Sequence, residues 1–129
     1  MAPRPVVLDT NFLLIPFQFK IDIMRELDYL IDVSHRYVIS SNTMRELARI
    51  GESIGKDGMG ARLALKLVEA NKAKIEVVES SEYVDKWIEE YAIAKNAIVC
   101  TNDAKLRKRL RDLDVKVVSM KSRSRLGYV

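Results

Sequence analysis

The sequence has few of the residues that build disulfide frameworks, zinc sites and nucleophile–base pairs. It contains one cysteine, Cys100, and one histidine, His35, among 129 residues. One cysteine cannot form an intramolecular disulfide, and no cysteine–histidine spacing suggests a zinc site. The apolar residues before Cys100 predict a buried strand position for its thiol, and the surroundings of His35 predict a turn. The composition therefore offers no support for serine–histidine or cysteine–histidine hydrolysis.

Long hydrophobic runs are also absent. No apolar stretch reaches the ~20 residues that cross a bilayer, and the first five residues have no signal-peptide hydrophobic region. Hydrophobic residues nevertheless make up 48% of the chain, enough to build a core without disulfides. We therefore expect a soluble, cytoplasmic protein with no membrane partner, folded as one domain over residues 1–129.

Glycine is scarce, and four of the five glycines fall within residues 51–60. This cluster does not match the phosphate-binding pattern GxxxxGK[ST], because the spacing fails and Asp57 follows Gly55-Lys56 where serine or threonine is needed. The cluster predicts a mobile surface loop.

Short apolar runs, typical of strands buried on both faces, alternate with helical repeats of three and four residues. The clearest helical stripe comprises Val84, Trp87, Ile88, Tyr91 and Ala92. The predicted strands are 5–8, 37–39, 74–78, 98–101 and 115–118, and other helices are predicted at 20–32, 42–50, 59–71 and 102–113. This alternation predicts a three-layer α/β/α fold with a central parallel sheet.

Two aspartates directly follow predicted strands. Asp9 comes after the strand that ends at Leu8, and Asp103 comes after the strand that ends near Thr101. The carboxyl ends of parallel strands share one edge of the sheet, where such folds bind ligands. The alternative is structural, because polar residues here can cap the following helix and an aspartate in a first turn interacts favourably with the helix dipole.

Two further acids are candidates with structural alternatives of their own. Glu46 lies three residues after Thr43, which fits a capping box that uses the glutamate only to bond the helix start. Asp85 falls at the edge of the apolar stripe, where an acid needs a metal or a partner. A salt bridge to a lysine or arginine is the alternative for Asp85. If Asp85 points away from the site, Asp22 or Glu82 would replace it.

Positive charge is concentrated in the segment that begins near residue 104. Residues 104–129 contain nine lysines and arginines and two aspartates. In the predicted helix, Leu106, Leu110 and Leu113 define the buried side. The cations mostly outside that side are Lys105, Lys108, Arg109 and Arg111. Composition alone leaves open whether this segment binds a polyanion or is a solvated helix face followed by a frayed tail.

Four short motifs together resemble the ordered acidic motifs of PIN-domain nucleases, and the similarity runs from Val6 to about Ser119. In chain order they are Leu8-Asp9-Thr10-Asn11, Arg45-Glu46-Leu47, Tyr83-Val84-Asp85 and Ile98-Val99-Cys100-Thr101-Asn102-Asp103. The segment after Asp103 is similar to the ribosomal-RNA-processing branch of that family. The sequence departs from many members around Asp85, which lacks the further acid that often follows.

The resemblance implies a metal-dependent endoribonuclease with a PIN-like, Rossmann-like fold. It implies that Asp9, Glu46, Asp85 and Asp103 are catalytic and hold Mg²⁺ or Mn²⁺, with Asp9 and Asp103 as principal ligands. Thr10, Asn11, Thr101 and Asn102 would orient the carboxylates or contact phosphate. Lys105, Lys108, Arg109 and Arg111 would bind the RNA backbone.

The resemblance also bears on biological role and partners. Processing of ribosomal RNA is the first expectation, ahead of a toxin ribonuclease from a toxin–antitoxin pair. A non-catalytic RNA-binding module is the alternative from another class. Besides RNA, the expected partners are a second copy of the chain and a ribosome-assembly or antitoxin protein.

Overall fold

The computed structural model describes residues 2–80 and 83–129, which form a sheet with helices on both faces. The six strands are β1 (Arg4–Leu8), β2 (His35–Ser40), β3 (Ile75–Val78), β4 (Ile98–Cys100), β5 (Val117–Ser122) and β6 (Arg125–Tyr128). The helices are α1 (Thr10–Leu13), α2 (Ile15–Phe19), α3 (Ile23–Leu30), α4 (Ser41–Ile50), α5 (Lys56–Ala70), α6 (Val84–Lys95) and α7 (Ala104–Asp112). No helix in the described part of the chain is long and apolar enough to cross a membrane.

The strand order is β3-β2-β1-β4-β5-β6. The first four neighbouring pairs are parallel, and only β5 and β6 are antiparallel. The order reverses at β1, which lies between β2 and β4, so a crevice opens at the carboxyl ends of β1 and β4. The α/β prediction is confirmed, with the addition that the sheet is mixed at one edge.

Two apolar cores cover the two faces of the sheet. On one face, the inward side chains of β1 and β2 pack against α3, α4 and α5, with Leu27 and Leu47 fully buried. On the other face, Val7 and Val99 pack against α6 and α7 through Ile88 and Leu106. This arrangement confirms the predicted three layers.

The C-terminal residues differ from the prediction. Residues 125–128, for which a frayed tail was one of two alternatives, form β6 and complete a hairpin with β5. The hairpin is held to the body of the protein by Glu26, whose Oε1 accepts a hydrogen bond from the Leu126 backbone at 3.2 Å. Leu113, expected on the buried side of α7, is 46% exposed because the helix ends at Asp112.

The glycine-rich loop is shorter than predicted. Helix α5 begins at Lys56, three residues earlier than expected, and Gly55 supplies the left-handed backbone before it with a φ of 99°. The Arg62 guanidinium donates to the carbonyls of Gly51 at 2.7 Å and Ser53 at 3.2 Å. Arg62 therefore closes this loop from within α5.

Candidate active site at the carboxyl edge of the sheet

One cavity of about 280 Å³ brings the four candidate acids together. Asp9 follows β1, Glu46 comes from the middle of α4, Asp85 from the first turn of α6, and Asp103 lies between β4 and α7. Because β1 and β4 are adjacent and parallel, the segments that follow them enter the same crevice. The sheet thus joins four acids that are far apart in sequence.

Asp9 is the most buried of the four, with 8% of the residue exposed. It is the N-cap residue of α1 by position, but its side chain makes no capping hydrogen bond. Instead, its Oδ2 accepts a hydrogen bond from the Thr101 hydroxyl at 2.5 Å. The expectation that a polar residue after Asp9 caps this helix is therefore wrong, because the helix already begins at Thr10, and the Asp9 carboxylate lies against Thr101.

Burial is the main reason that the pKa of Asp9 is raised from 3.8 to about 6. The Thr101 hydrogen bond acts against this shift, while the negative charges of Asp85 and Asp103 add to it. The site therefore carries an excess of negative charge around a poorly solvated carboxylate. A positive ligand would relieve that cost.

Asp103 has a structural task as well. It is the N-cap of α7, and its Oδ1 accepts hydrogen bonds from the backbone nitrogens of Lys105 at 2.9 Å and Leu106 at 3.5 Å. A structural role at the helix start is therefore confirmed for one of its oxygens, with Asp103 itself and not the preceding Asn102 as the cap. Within the described residues, no hydrogen bond uses Oδ2. One carboxyl group can thus fix the helix start and still offer an oxygen to the cavity.

Three of the four polar residues beside the aspartates, Asn11, Thr101 and Asn102, link the two strand ends. The Asn11 Oδ1 accepts from the Asn102 backbone at 2.9 Å, and the Thr101 hydroxyl accepts from the Asp103 backbone at 3.0 Å. On the other side, the Thr10 hydroxyl donates to Thr43 at 3.4 Å. These contacts determine where Asp9 and Asp103 lie relative to each other, which is a role for side chains that support a site.

Sequence reasoning missed Ser119 and Ser40 as supports of the site. The Ser119 hydroxyl donates to Asn102 Oδ1 at 2.7 Å, and the Met120 backbone donates to the same oxygen at 3.1 Å. Ser40 caps α4 by accepting from the Thr43 backbone at 3.0 Å. The signal in both cases is a serine at the end of an apolar strand run, where a polar residue is fully buried.

Because Ser40 is the cap of α4, the capping-box interpretation of Glu46 is wrong. Thr43 is already inside the helix, so its spacing to Glu46 has no capping role. Glu46 is half-buried and lines the cavity. Among residues 2–80 and 83–129, it has no hydrogen-bond or ion-pair partner. A carboxylate without a local partner at this position is available for a ligand.

Asp85 lines the cavity and also has the salt bridge that was its alternative. Its Oδ2 lies 3.2 Å from Nη2 of Arg109, whose Nε donates to Glu89 at 2.9 Å. Asp85 is at the exposed rim, with 53% of its side chain accessible. Arg109 therefore faces α6, and part of its charge is balanced by these two carboxylates. Of the replacements considered for Asp85, Glu82 lies outside the described residues.

The other replacement, Asp22, is elsewhere. Its side chain caps α3, accepting from the Arg25 backbone at 3.2 Å. It lines a larger cavity of about 800 Å³ between α3 and β6, together with Arg25, Glu26 and Arg125. That cavity contains none of the four acids, so size does not identify the site in this protein. Asp22 is excluded as a member of the acidic cavity.

The donor chemistry of the acidic cavity suits a hydrated divalent cation. All candidate donors are oxygens, which Mg²⁺ and Mn²⁺ prefer. Within the described chain, no three carboxylate, histidine or cysteine side chains lie close enough to form a complete protein cage. Mg²⁺ does not need one, because it usually keeps several waters and is bound through one or two carboxylates plus substrate phosphates. The residues fit an ion held in that way.

Both the sequence and the fold are similar to those of known proteins. Residues 6–123 match the family described as PIN like domain. The chain is 31% identical to ribonuclease VapC4 of Methanocaldococcus jannaschii over 122 residues, which is 92% of this chain and 91% of that protein. It is 30% identical to the rRNA-processing protein FCF1 of Saccharomyces cerevisiae over 113 residues, 86% of this chain and 56% of that protein.

Among solved structures, the fold is similar to that of the PIN domain endonuclease Utp24. The superposition has a TM-score of 0.80 at 24% sequence identity and covers 98% of this chain and 91% of the other. The β5–β6 hairpin is therefore part of the shared architecture.

Proposed function

Since this chain belongs to the PIN-like domain family, we propose that it is a metal-dependent endoribonuclease that hydrolyses RNA phosphodiester bonds in its acidic cavity. The observation that carries the proposal is the convergence of Asp9, Glu46, Asp85 and Asp103 on one cavity at the carboxyl edge of the sheet. The 31% identity to a protein named a ribonuclease supports the same substrate. In this proposal, residues 1–129 act as one cytoplasmic domain.

Asp9 and Asp103 would hold Mg²⁺ or Mn²⁺, and Glu46 and Asp85 would complete the site as ligands or by positioning water. A bound divalent cation would lower the pKa of a coordinated water and stabilise negative charge on the phosphoryl oxygens. Thr101 fixes the orientation of the Asp9 carboxylate through its 2.5 Å hydrogen bond. Asn11 and Asn102 keep the two strand ends in register, so that the carboxylates do not have to reorganise when RNA binds.

Cleavage in the presence and absence of divalent metal tests the proposal. Purified protein should cut single-stranded or looped RNA with Mn²⁺ or Mg²⁺, lose activity in EDTA, and regain it when excess metal is returned. Activity that persists in EDTA would contradict the metal-dependent mechanism. Tight RNA binding with no cleavage under any metal would favour the non-catalytic RNA-binding module.

The phosphate backbone would approach along α7, which starts at Asp103. The four cations proposed to contact RNA differ in their surroundings. Arg109 pairs with Asp85 and Glu89, and Lys108 lies 3.7 Å from Asp112. Lys105 and Arg111 are exposed, and neither has an acidic partner in the described part of the chain. The unpaired cations should therefore contribute more to RNA affinity.

We expect the double substitution Lys105→Ala/Arg111→Ala to lower the slope of log K against log salt by about 1.4, which is about 0.7 per lost contact to a single strand. The substitution Lys108→Ala/Arg109→Ala changes the net charge equally but should lower the slope by less, because nearby carboxylates already balance these cations. Fluorescence anisotropy with labelled RNA over a salt series measures both. Equal salt slopes for the two double variants would show that pairing with nearby carboxylates does not reduce the contribution of a cation to RNA binding.

For the biological role, we propose processing of ribosomal RNA, supported by the similarity to FCF1 over 86% of this chain. The ribosome-assembly machinery would then supply protein partners. A toxin ribonuclease with an antitoxin partner is the second candidate, because the match to ribonuclease VapC4 covers 91% of that protein. Two experiments separate these roles. Induced expression of a toxin should arrest growth. Depletion of a processing enzyme should leave precursor ribosomal RNA uncut. A homodimer is compatible with either role.

A further inference from the structure

The turn between β5 and β6 carries cations that have no part in the acidic cavity described above. Lys121, Arg123 and Arg125 lie at the carboxyl end of β5 or just after it, and all three are exposed. Because β5 runs parallel to β4, this turn lies at the same edge of the sheet as Asp103. No acid within the described residues forms an ion pair with any of the three.

Lys121 differs from Arg123 and Arg125 in its contacts with the β5–β6 hairpin. It lies at an irregularity in the β5–β6 pairing, between Met120 and Ser122, where bulges commonly redirect a side chain. Its aliphatic chain crosses Gly127 on β6 so closely that a Cβ at Gly127 would lie 2.6 Å from Lys121 Cγ and 3.0 Å from Cε. Gly127 does not have a positive φ, so the glycine is needed here for space and not for backbone freedom.

The contact between Lys121 and Gly127 connects Lys121 to the acidic cavity through Ser119 and Asn102. Gly127 pairs with Ser119 across the hairpin, and the Ser119 hydroxyl donates to Asn102 Oδ1 at 2.7 Å. Asn102 directly precedes Asp103. The stem of Lys121 therefore lies over the strand pair that is bonded to the segment carrying one of the four acids.

We propose that Lys121 binds a phosphate of the RNA substrate and extends the RNA contact surface from α7 onto the β5–β6 hairpin. The inference rests on the proposed ribonuclease function. A free lysine loses side-chain entropy when it is immobilised. Here the stem already packs against Gly127 in the folded protein, so we expect less of that entropy to be lost on binding. The ammonium group is a compact charge suited to a single phosphate.

Removal of the charge is the first test, made in the non-cleaving Asp9→Asn protein with a labelled single-stranded RNA. Lys121→Gln keeps much of the stem and should lower the salt slope by about 0.7, so that its loss of RNA affinity relative to the Asp9→Asn parent is about 5-fold greater at 0.1 M than at 1 M salt. Lys116→Gln is the matched control, since Lys116 precedes the other end of β5 and the change in net charge is the same. Equal loss from both variants would overturn the proposal, because only overall charge would then matter.

Displacement of the stem is the second test. Gly127→Ala keeps every charge but forces Lys121 to move, so it should weaken RNA binding when Lys121 is present. In the Lys121→Gln protein, whose shorter polar chain carries no charge, Gly127→Ala should add no further loss of affinity. A loss of the same size in both backgrounds would show that Gly127 acts through the hairpin fold and would contradict the role given to Lys121.

The two proposals fail in different ways. If wild-type protein neither binds nor cleaves RNA, the proposed function is wrong, and this inference is wrong with it. If the wild type cleaves RNA and the Lys121 variants bind with unchanged slopes, only the inference about Lys121 is wrong. Thermal melting of each variant checks that a change in binding does not come from unfolding, and Lys121→Arg should restore the wild-type slope because it returns the charge.

Discussion

Asp9→Asn should reduce RNA cleavage by roughly 10³-fold while leaving the fold and the RNA affinity intact. Loss of one group that stabilises charge in an active site commonly slows the reaction by this order of magnitude. The amide has the same shape as the carboxylate and can still accept the hydrogen bond from Thr101. It lacks the charge that would hold a divalent cation. Single-turnover cleavage of a labelled RNA at saturating Mn²⁺ measures the loss.

Asp22→Asn is the matched control for this substitution. Asp22 is an aspartate that caps α3 away from the acidic cavity, and asparagine is an equally good cap residue. The control variant should cut RNA at the wild-type rate. Undiminished cleavage by Asp9→Asn would remove Asp9 from the reaction, and equal losses in the two variants would indicate a general defect in folding.

A second large effect should appear in protein stability without metal. The pKa of Asp9 is raised from 3.8 to about 6, mainly by burial. The folded state therefore binds this proton more tightly than the unfolded chain does, and the stability that results is present at low pH and lost as pH rises through 6. Relative to Asp9→Asn, the free energy of unfolding of the wild type should fall by roughly 2 to 3 kcal/mol between pH 4 and pH 7.5.

Urea denaturation of both proteins in EDTA at a series of pH values measures this difference, and subtraction cancels groups that titrate alike in both. Addition of Mn²⁺ at pH 7.5 should then stabilise the wild type and not Asp9→Asn, because a ligand that binds only the folded state raises the free energy of unfolding. A difference between the proteins that stays constant with pH would show that Asp9 is well solvated or otherwise compensated.

Local sequence patterns determined most of the secondary structure. The helical stripe from Val84 to Ala92 is α6, and the apolar run at residues 98–100 is β4. Both could be predicted because burial itself imposes the pattern: a helix hides one stripe, and a strand covered on both faces needs a continuous apolar run. The same patterns placed Asp9 and Asp103 directly after strands, and the comparisons confirm the family that these motifs indicated.

Elements whose stability comes from distant partners were not predictable in this way. Strand β6 is short and follows a polar turn, and its backbone is paired with β5 and with the side chain of Glu26, which is 100 residues away from Leu126. The helix predicted at 42–50 begins at Ser41, and its cap is Ser40 and not Thr43, because Ser40 lies inside an apolar strand run and its capping role depends on where β2 ends. Neither the pairing of β6 nor the cap of α4 can be predicted from a short stretch of sequence.

The site shows the same division. The sequence alone predicted the four acids as site residues, together with the polar residues beside two of them, since these lie in short motifs. Only the tertiary structure decided what each carboxylate contacts: Thr101 for Asp9, the first turn of α7 for Asp103, Arg109 for Asp85, and no described partner for Glu46. Those contacts depend on the adjacency of β1 and β4 and on the packing of α6 against α7. Both are interactions between residues far apart in the chain, and the burial of the whole core decides them.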